Sequence, residues 1–313
     1  MKNKNHKPRI ILALTLGVIL AVVTGNTLAN SKKQGRFVAV AGNSDIAAYS
    51  NDGITWKTTK MPDNEYWTSV CYGNGKFAAV AGGGSDKAAY SSDGITWETT
   101  TLPHEANWNA IVYGNKKFVA IAVESNKAAY SEDGITWETA TLPNRTFWWD
   151  ICYAKNKFIA ITLGSKAAYS TDGINWKIVS MPDETSRRSI CYGNGKFVVV
   201  SEDSNKATYS SDGIRWFEST LPSKASWWSI CYGRDRFVAV GDDENNKAAY
   251  SYDGIKWKET ILPDKASWRN VCYGNGKFVA IAPTTAAYSS DGINWTKTTM
   301  PKNYWLAVCY GGR

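Results

Sequence analysis

Residues able to do chemistry are few in this 313-residue sequence, and their spacing argues against most of the chemistry they could do. A nucleophilic triad needs a base beside a Ser or Cys. The two histidines are His6, near the N-terminus, and His104, which follows Leu102-Pro103 and reads as a surface loop residue. Six cysteines, Cys71, Cys152, Cys191, Cys231, Cys272 and Cys309, each precede a Tyr. With no paired spacing and no neighbouring His, they do not form a zinc cluster. Gly-Asn-Gly-Lys stretches at 73–76, 193–196 and 274–277 lack the Lys-Ser/Thr ending of a phosphate loop and precede β-rich runs, so they read as hairpin turns. No catalytic residue, resident metal or cofactor is assigned.

Two further groups carry more information. Glu202-Asp203 and Asp242-Asp243-Glu244 are acidic enough to supply a glycosidase carboxylate, and the latter, with Asn245, could meet Ca²⁺. Neither has a specific pattern, and solvated loop charge is the plainer reading. Five aromatics fall outside the repeating columns described next: Tyr66, Phe147, Trp149, Trp228 and Tyr304. Phe217 and Tyr252 are also off-register but lie elsewhere. Where other repeats carry Trp, one carries Arg187, followed by Arg188 at the position of Trp149 and Trp228; Arg269 is a further candidate arginine. Aromatics beside arginine suit sugar stacking, an anionic glycan or a protein hot spot. The candidate ligand-binding set is therefore Tyr66, Phe147, Trp149, Arg187, Arg188, Trp228, Arg269 and Tyr304.

The elements that must position this set follow from a repeat. Tyr-Ser-x-Asp-Gly-Ile-x-Trp occurs seven times, with its aspartate at Asp52, Asp93, Asp133, Asp172, Asp212, Asp253 and Asp291, spaced 38–41 residues apart. Each unit holds four short runs rich in β-branched and aromatic residues, with Asn-Gly and Asp-Gly turns between them. No run has helical periodicity. Four antiparallel strands per unit of this length predict a propeller blade. The sequence ends on a first strand, Trp305–Tyr310, and its first β-rich run, Phe37–Val40, is a second strand. The expected fold is thus an all-β, seven-bladed propeller of four-stranded antiparallel blades, closed by the C-terminal strand joining the N-terminal blade. The recurring Trp, Tyr and Phe columns are expected to be blade-to-blade core, since each large buried side chain is worth roughly 1.5–3 kcal/mol.

Residues 1–29 are set apart as a secretory signal peptide, with 30–313 as the propeller. Lys2, Lys4, Lys7 and Arg9 precede an apolar run, Ile10–Val23, and Thr27-Leu28-Ala29 offers a cleavage site. Removing those four basic residues takes the formal charge from +8 to +4, too dilute for nucleic-acid binding. No later window is apolar enough to span a bilayer, so membrane insertion is not expected after cleavage. A secreted or cell-surface monomer is expected. Its cysteines, one per unit in one frame, are expected to be free buried thiols, too far apart to bridge.

The box Ser-x-Asp-Gly-x-x-Trp resembles the Asp-box, or BNR repeat, of sialidase-like propellers, over essentially the whole mature chain. It lacks the residue that family usually places between Asp and Gly, which suggests a two-residue Asp-Gly hairpin with φ > 0 at both positions. The resemblance implies that the box aspartates are structural, on the turn side, and that the opposite face holds any site. Members of the family include glycosidases, binding ectodomains and a photosystem assembly factor, so it fixes architecture better than function. The expected function is non-catalytic recognition of a glycan or an extracellular protein on the blade-linking face. The alternatives are a sialidase-type hydrolase, which would need three converging arginines (Arg145 or Arg269 supplying the third) and Glu202, Asp203 or Asp242 as acid, and an assembly or adhesion scaffold.

Overall fold

The computed structural model describes residues 35–242 and 245–312; the leader, and with it the predicted cleavage site, lies outside the described residues, as do Asp243 and Glu244. The described chain forms seven four-stranded antiparallel sheets and no helix. In blade 1, Trp305–Gly311 is the innermost strand and pairs with Arg36–Ala41, followed outward by Ser44–Ser50 and Lys57–Glu65. Blades 2 to 7 run in chain order, with innermost strands Trp67–Gly73, Trp108–Gly114, Trp148–Ala154, Arg187–Gly193, Trp227–Gly233 and Asn270–Gly274. Closure is registered from Arg36 opposite Gly311 to Ala41 opposite Trp305.

Burial explains the order of strands. The second strand of each blade, such as Lys117–Ala122, is a continuous apolar run buried on both faces. The fourth, such as Glu98–Ala106, is mostly exposed, and its charged and threonine side chains blunt an open sheet edge. Between adjacent blades lie seven apolar clusters of one design. The cluster between blades 2 and 3, for example, joins Trp108 and Ile111 to Phe118 and Trp137. Six of the first-strand tryptophans are wholly buried, and each indole N–H donates to the carbonyl four residues earlier, as Trp148 Nε1 does to Asn144 at 2.9 Å.

Arg187 takes that same slot in blade 5. It is fully buried, and its guanidinium donates to Asp183 at 2.5 Å, to the Thr185 carbonyl at 3.3 Å and to the Gly164 carbonyl. Asp183 is the residue four positions earlier, so an ion pair replaces the indole-to-carbonyl bond. The structure therefore places Arg187 in the core and away from the ligand face on which it was expected.

The box turn also differs from expectation. The third strand ends at Ser50 and the fourth begins at Lys57, and within the turn Gly53 carries a positive φ of 73° while Asp52 does not. It is not a two-residue hairpin. The Asp52 carboxylate accepts from the N–H groups of Ile54 and Thr55, each at 2.8 Å, and from the Ser50 hydroxyl at 2.9 Å; Ser50 Oγ in turn accepts from Gly53 N–H. Partial burial alone would raise the Asp52 pKa, but these donors outweigh it and hold the carboxyl below its usual value. All seven box aspartates share the arrangement and the direction of shift. The first hairpin is the expected two-residue turn, with Asn74 and Gly75 both at positive φ.

Candidate functional site at the channel mouth

The site is built by a repeated irregularity in the innermost strands. In blade 4 the pairing with the second strand passes from Trp148 to Asp150, leaving Trp149 unpaired. The same bulge omits Thr68, Asn109, Arg188, Trp228 and Leu306 in blades 2, 3, 5, 6 and 1. A bulge re-aims the extra residue, and here each is turned toward one end of the channel. Arg269 holds the equivalent place in blade 7, just before its innermost strand. These seven side chains line one cavity of about 180 Å³. All seven lie directly after a buried Trp or, in blade 5, after Arg187.

Four of the seven, with Tyr304, form a cation–π ladder. The Arg188 guanidinium sits 4.2 Å from the Trp149 ring centre and 4.3 Å from that of Trp228. The two indoles are perpendicular, 6.2 Å apart, so the cation fills their corner. Arg269 stacks on Trp228 at 4.7 Å and lies 5.9 Å from Tyr304, and Tyr66 abuts Tyr304 in the same cavity wall. Burial, then the neighbouring Tyr304, raises the Tyr66 phenol pKa.

Both arginines are tethered by the loops joining second and third strands. Arg188 Nε donates to Glu202 at 2.6 Å and Arg269 Nη1 to Asp242 at 2.9 Å. Two of the three residues considered as candidate acids, Glu202 and Asp242, thus brace the ladder. Asp203 accepts from the Ser226 hydroxyl at 3.2 Å.

A second ring lies one residue further along each strand. In four blades a side-chain oxygen there accepts a backbone N–H from the next blade: Ser69 from Ile111, Ser189 from Ile230, Ser229 from Val271 and Asn270 from Val308, at 3.1–3.4 Å. Such N–H groups belong to the free edge of the innermost strand and need partners. Ala110 has no oxygen to offer Ile151. Asp150 compensates, one oxygen accepting from Ile151 N–H at 2.8 Å and the other from Ile190 N–H at 2.9 Å. Burial raises its pKa to about 6, against the opposing pull of those two N–H groups and the Ser189 hydroxyl.

Of the residues singled out from sequence, Tyr66, Trp149, Arg188, Trp228, Arg269 and Tyr304 converge on this cavity. Phe147 is 47% exposed and does not line it, and Arg187 lies in the core. Arg145 lines a different cavity and donates to the Glu124 carbonyl. His104 is on an outer strand and contacts Thr139 at 3.1 Å. Sequence reasoning missed Thr68, Asn109, Leu306 and the whole second ring. The signal that could have found them was the column position after the recurring Trp, whatever residue stands there. The six cysteines are free thiols, and burial pushes their pKa values up, with neighbouring thiols adding to the shift at Cys71, Cys191 and Cys272.

No protein-family description matches the chain, and no curated protein is significantly similar to it. Solved structures do match. Virginiamycin B lyase from Staphylococcus aureus aligns with a TM-score of 0.69 at 13% identity, covering 86% of this chain and 96% of that one. YCF48 bound to D1 peptide gives 0.60 at 16% identity, over 75% and 81% of the two chains. Apo AztD from Citrobacter koseri gives 0.56 at 12%, over 89% and 87%. The shared property is the fold. These neighbours include a lyase and a peptide-bound protein, so the propeller by itself does not select a function.

Proposed function

We propose that this protein is a non-catalytic, ligand-binding propeller, exported from the cytoplasm, whose binding site is the channel-mouth cavity. The observation that carries the reading is the ladder Trp149, Arg188, Trp228, Arg269 and Tyr304 around that cavity, held by ion pairs to Glu202 and Asp242. Rigid aromatics and braced guanidiniums supply recognition at low entropic cost. Two structural neighbours were solved with something bound: YCF48 with D1 peptide, and a catalytically inactive His-to-Ala variant of virginiamycin B lyase with quinupristin. Among the described residues of this chain, the histidine does not line the cavity. The resemblance of the boxes to Asp-box propellers is compatible with this reading and does not enter the argument.

A sialidase-type hydrolase is less well supported. Arg188 and Arg269 reach the cavity with Tyr66 and Tyr304, but Arg187 is core and Arg145 lies elsewhere. Glu202 and Asp242 are already engaged by Arg188 and Arg269, so neither carboxylate stands free toward a substrate.

The test is a panel of immobilised glycans and peptides, read before and after prolonged incubation. Binding without trimming, weakened at least tenfold by Trp149→Ala with Trp228→Ala while the melting temperature stays within a few degrees, is the expected result. Trimmed glycans, or binding indifferent to both substitutions, would overturn the proposal.

A further inference from the structure

Resting on that reading, we infer that the cavity takes an uncharged saccharide, one sugar ring at a time, and discriminates against acidic ligands. The first argument is charge. Two guanidiniums face the cavity, and two carboxylates, Glu202 and Asp242, already neutralise them. Asp150 adds a third carboxylate in the cavity wall. Its two oxygens are bonded to backbone N–H groups, which place it but carry no formal charge to cancel it. An anionic ligand would be the fourth negative group beside two positive ones, in a partly enclosed site where charge is poorly screened.

The second argument is donor and acceptor capacity. The oxygens of Ser69, Asp150, Ser189 and Asn270 are spent on neighbouring blades. What remains in the wall is weighted toward donors: the indole N–H groups of Trp149 and Trp228 have no partner among the described residues, and Arg269 Nε is buried without one. A peptide brings an N–H for each carbonyl and would bury some of them unpaired. A sugar hydroxyl or ring oxygen accepts from these donors, and a hydroxyl can turn its own proton to water. The third argument is size: a cavity of about 180 Å³ holds a group of roughly one ring, with Tyr304, 40% exposed, at its rim.

The experiment uses the full chain against an array carrying neutral, sialylated, sulfated and uronic-acid glycans together with peptides. A neutral glycan hit is then titrated by tryptophan fluorescence at pH 5 and pH 7, in 50 mM and 500 mM salt. The expected result is binding to neutral glycans, changing less than about threefold across those conditions, and lost at least tenfold in Trp149→Ala and in Tyr304→Ala. Tyr304→Ala serves as the second variant because an exposed ring can be removed without unfolding the blade. Binding confined to acidic glycans, tightening as Asp150 protonates, would overturn this inference and leave the proposed binding function standing. Binding confined to peptides would do the same. No binding to any member of the array would count against both.

Discussion

The Asp150 latch offers the sharpest test of the energetic reasoning. Its carboxylate serves two backbone N–H groups because Ala110 serves none, and the cost is a charge in a buried site. With a folded pKa of about 6 against roughly 3.9 in the unfolded chain, the native state binds more protons between those values. The stability this group contributes is therefore full below about pH 4 and is lost as pH rises through 6. Two pK units correspond to about 3 kcal/mol, and some contact with water at the cavity brings that nearer 2. The perturbation is Ala110→Ser together with Asp150→Ser. It would rebuild in blades 3 and 4 the one-oxygen latch already made by Ser69, Ser189 and Ser229. Asp150→Ser alone leaves Ile151 N–H unpaired at about 1–3 kcal/mol, which offsets the relief. Urea unfolding of the three proteins at pH 4.5 and 7.5 is the assay. The double variant should exceed the parent by about 2 kcal/mol at pH 7.5 and by little at pH 4.5, with the single variant below the double at both. The box aspartates, whose lowered pKa values make stability fall in acid, are unchanged and cancel in the comparison. A pH-independent difference, or a double variant no better than the single, would refute the latch account.

Other outcomes follow from the fold. Arg187→Trp with Asp183→Asn restores the column found in the other blades, and calorimetry should show a melting temperature no lower than the parent, because a buried ion pair seldom outperforms apolar packing; a fall of more than about 5 °C would mean that Arg187 is needed. Trp137→Ala, at a buried box position, should destabilise by about 3–5 kcal/mol in urea. Gly94→Ala should cost several kcal/mol in the same assay, since φ is 72° and a Cβ would lie 2.6 Å from Val38 of the preceding blade. Native thiols should react slowly with a disulfide reagent at pH 8, all six titrating rapidly once the protein is unfolded.

The repeat made the architecture legible, because each Trp, Phe and Tyr column marks a strand and its buried face. The same column logic would have placed Arg187 correctly, since it stands in register with Trp148 and Trp227; its charge pointed outward while its position pointed inward, and position prevailed. The box turn was misjudged because strand ends depend on where the Asp52 carboxylate gathers N–H groups, which spacing alone does not reveal. The site was half legible. Trp149, Arg188, Trp228, Arg269 and Tyr304 stood out by residue type, whereas Thr68 and Asn109 look ordinary and owe their place to a bulge. The latch at Asp150 was invisible because it answers to a missing oxygen on Ala110, a residue forty positions away.

The seam of blade 1 also dictates how the ring responds to force. Arg36 stands opposite Gly311, so the two chain ends leave the same end of one antiparallel pair. Tension applied between the ends would load those hydrogen bonds one at a time, opening the pair like a zip instead of shearing it as a block. The ring is therefore mechanically weakest where it is topologically closed. A pull on its two ends would strip the C-terminal strand first and leave blades 2 to 7 stacked but unclasped.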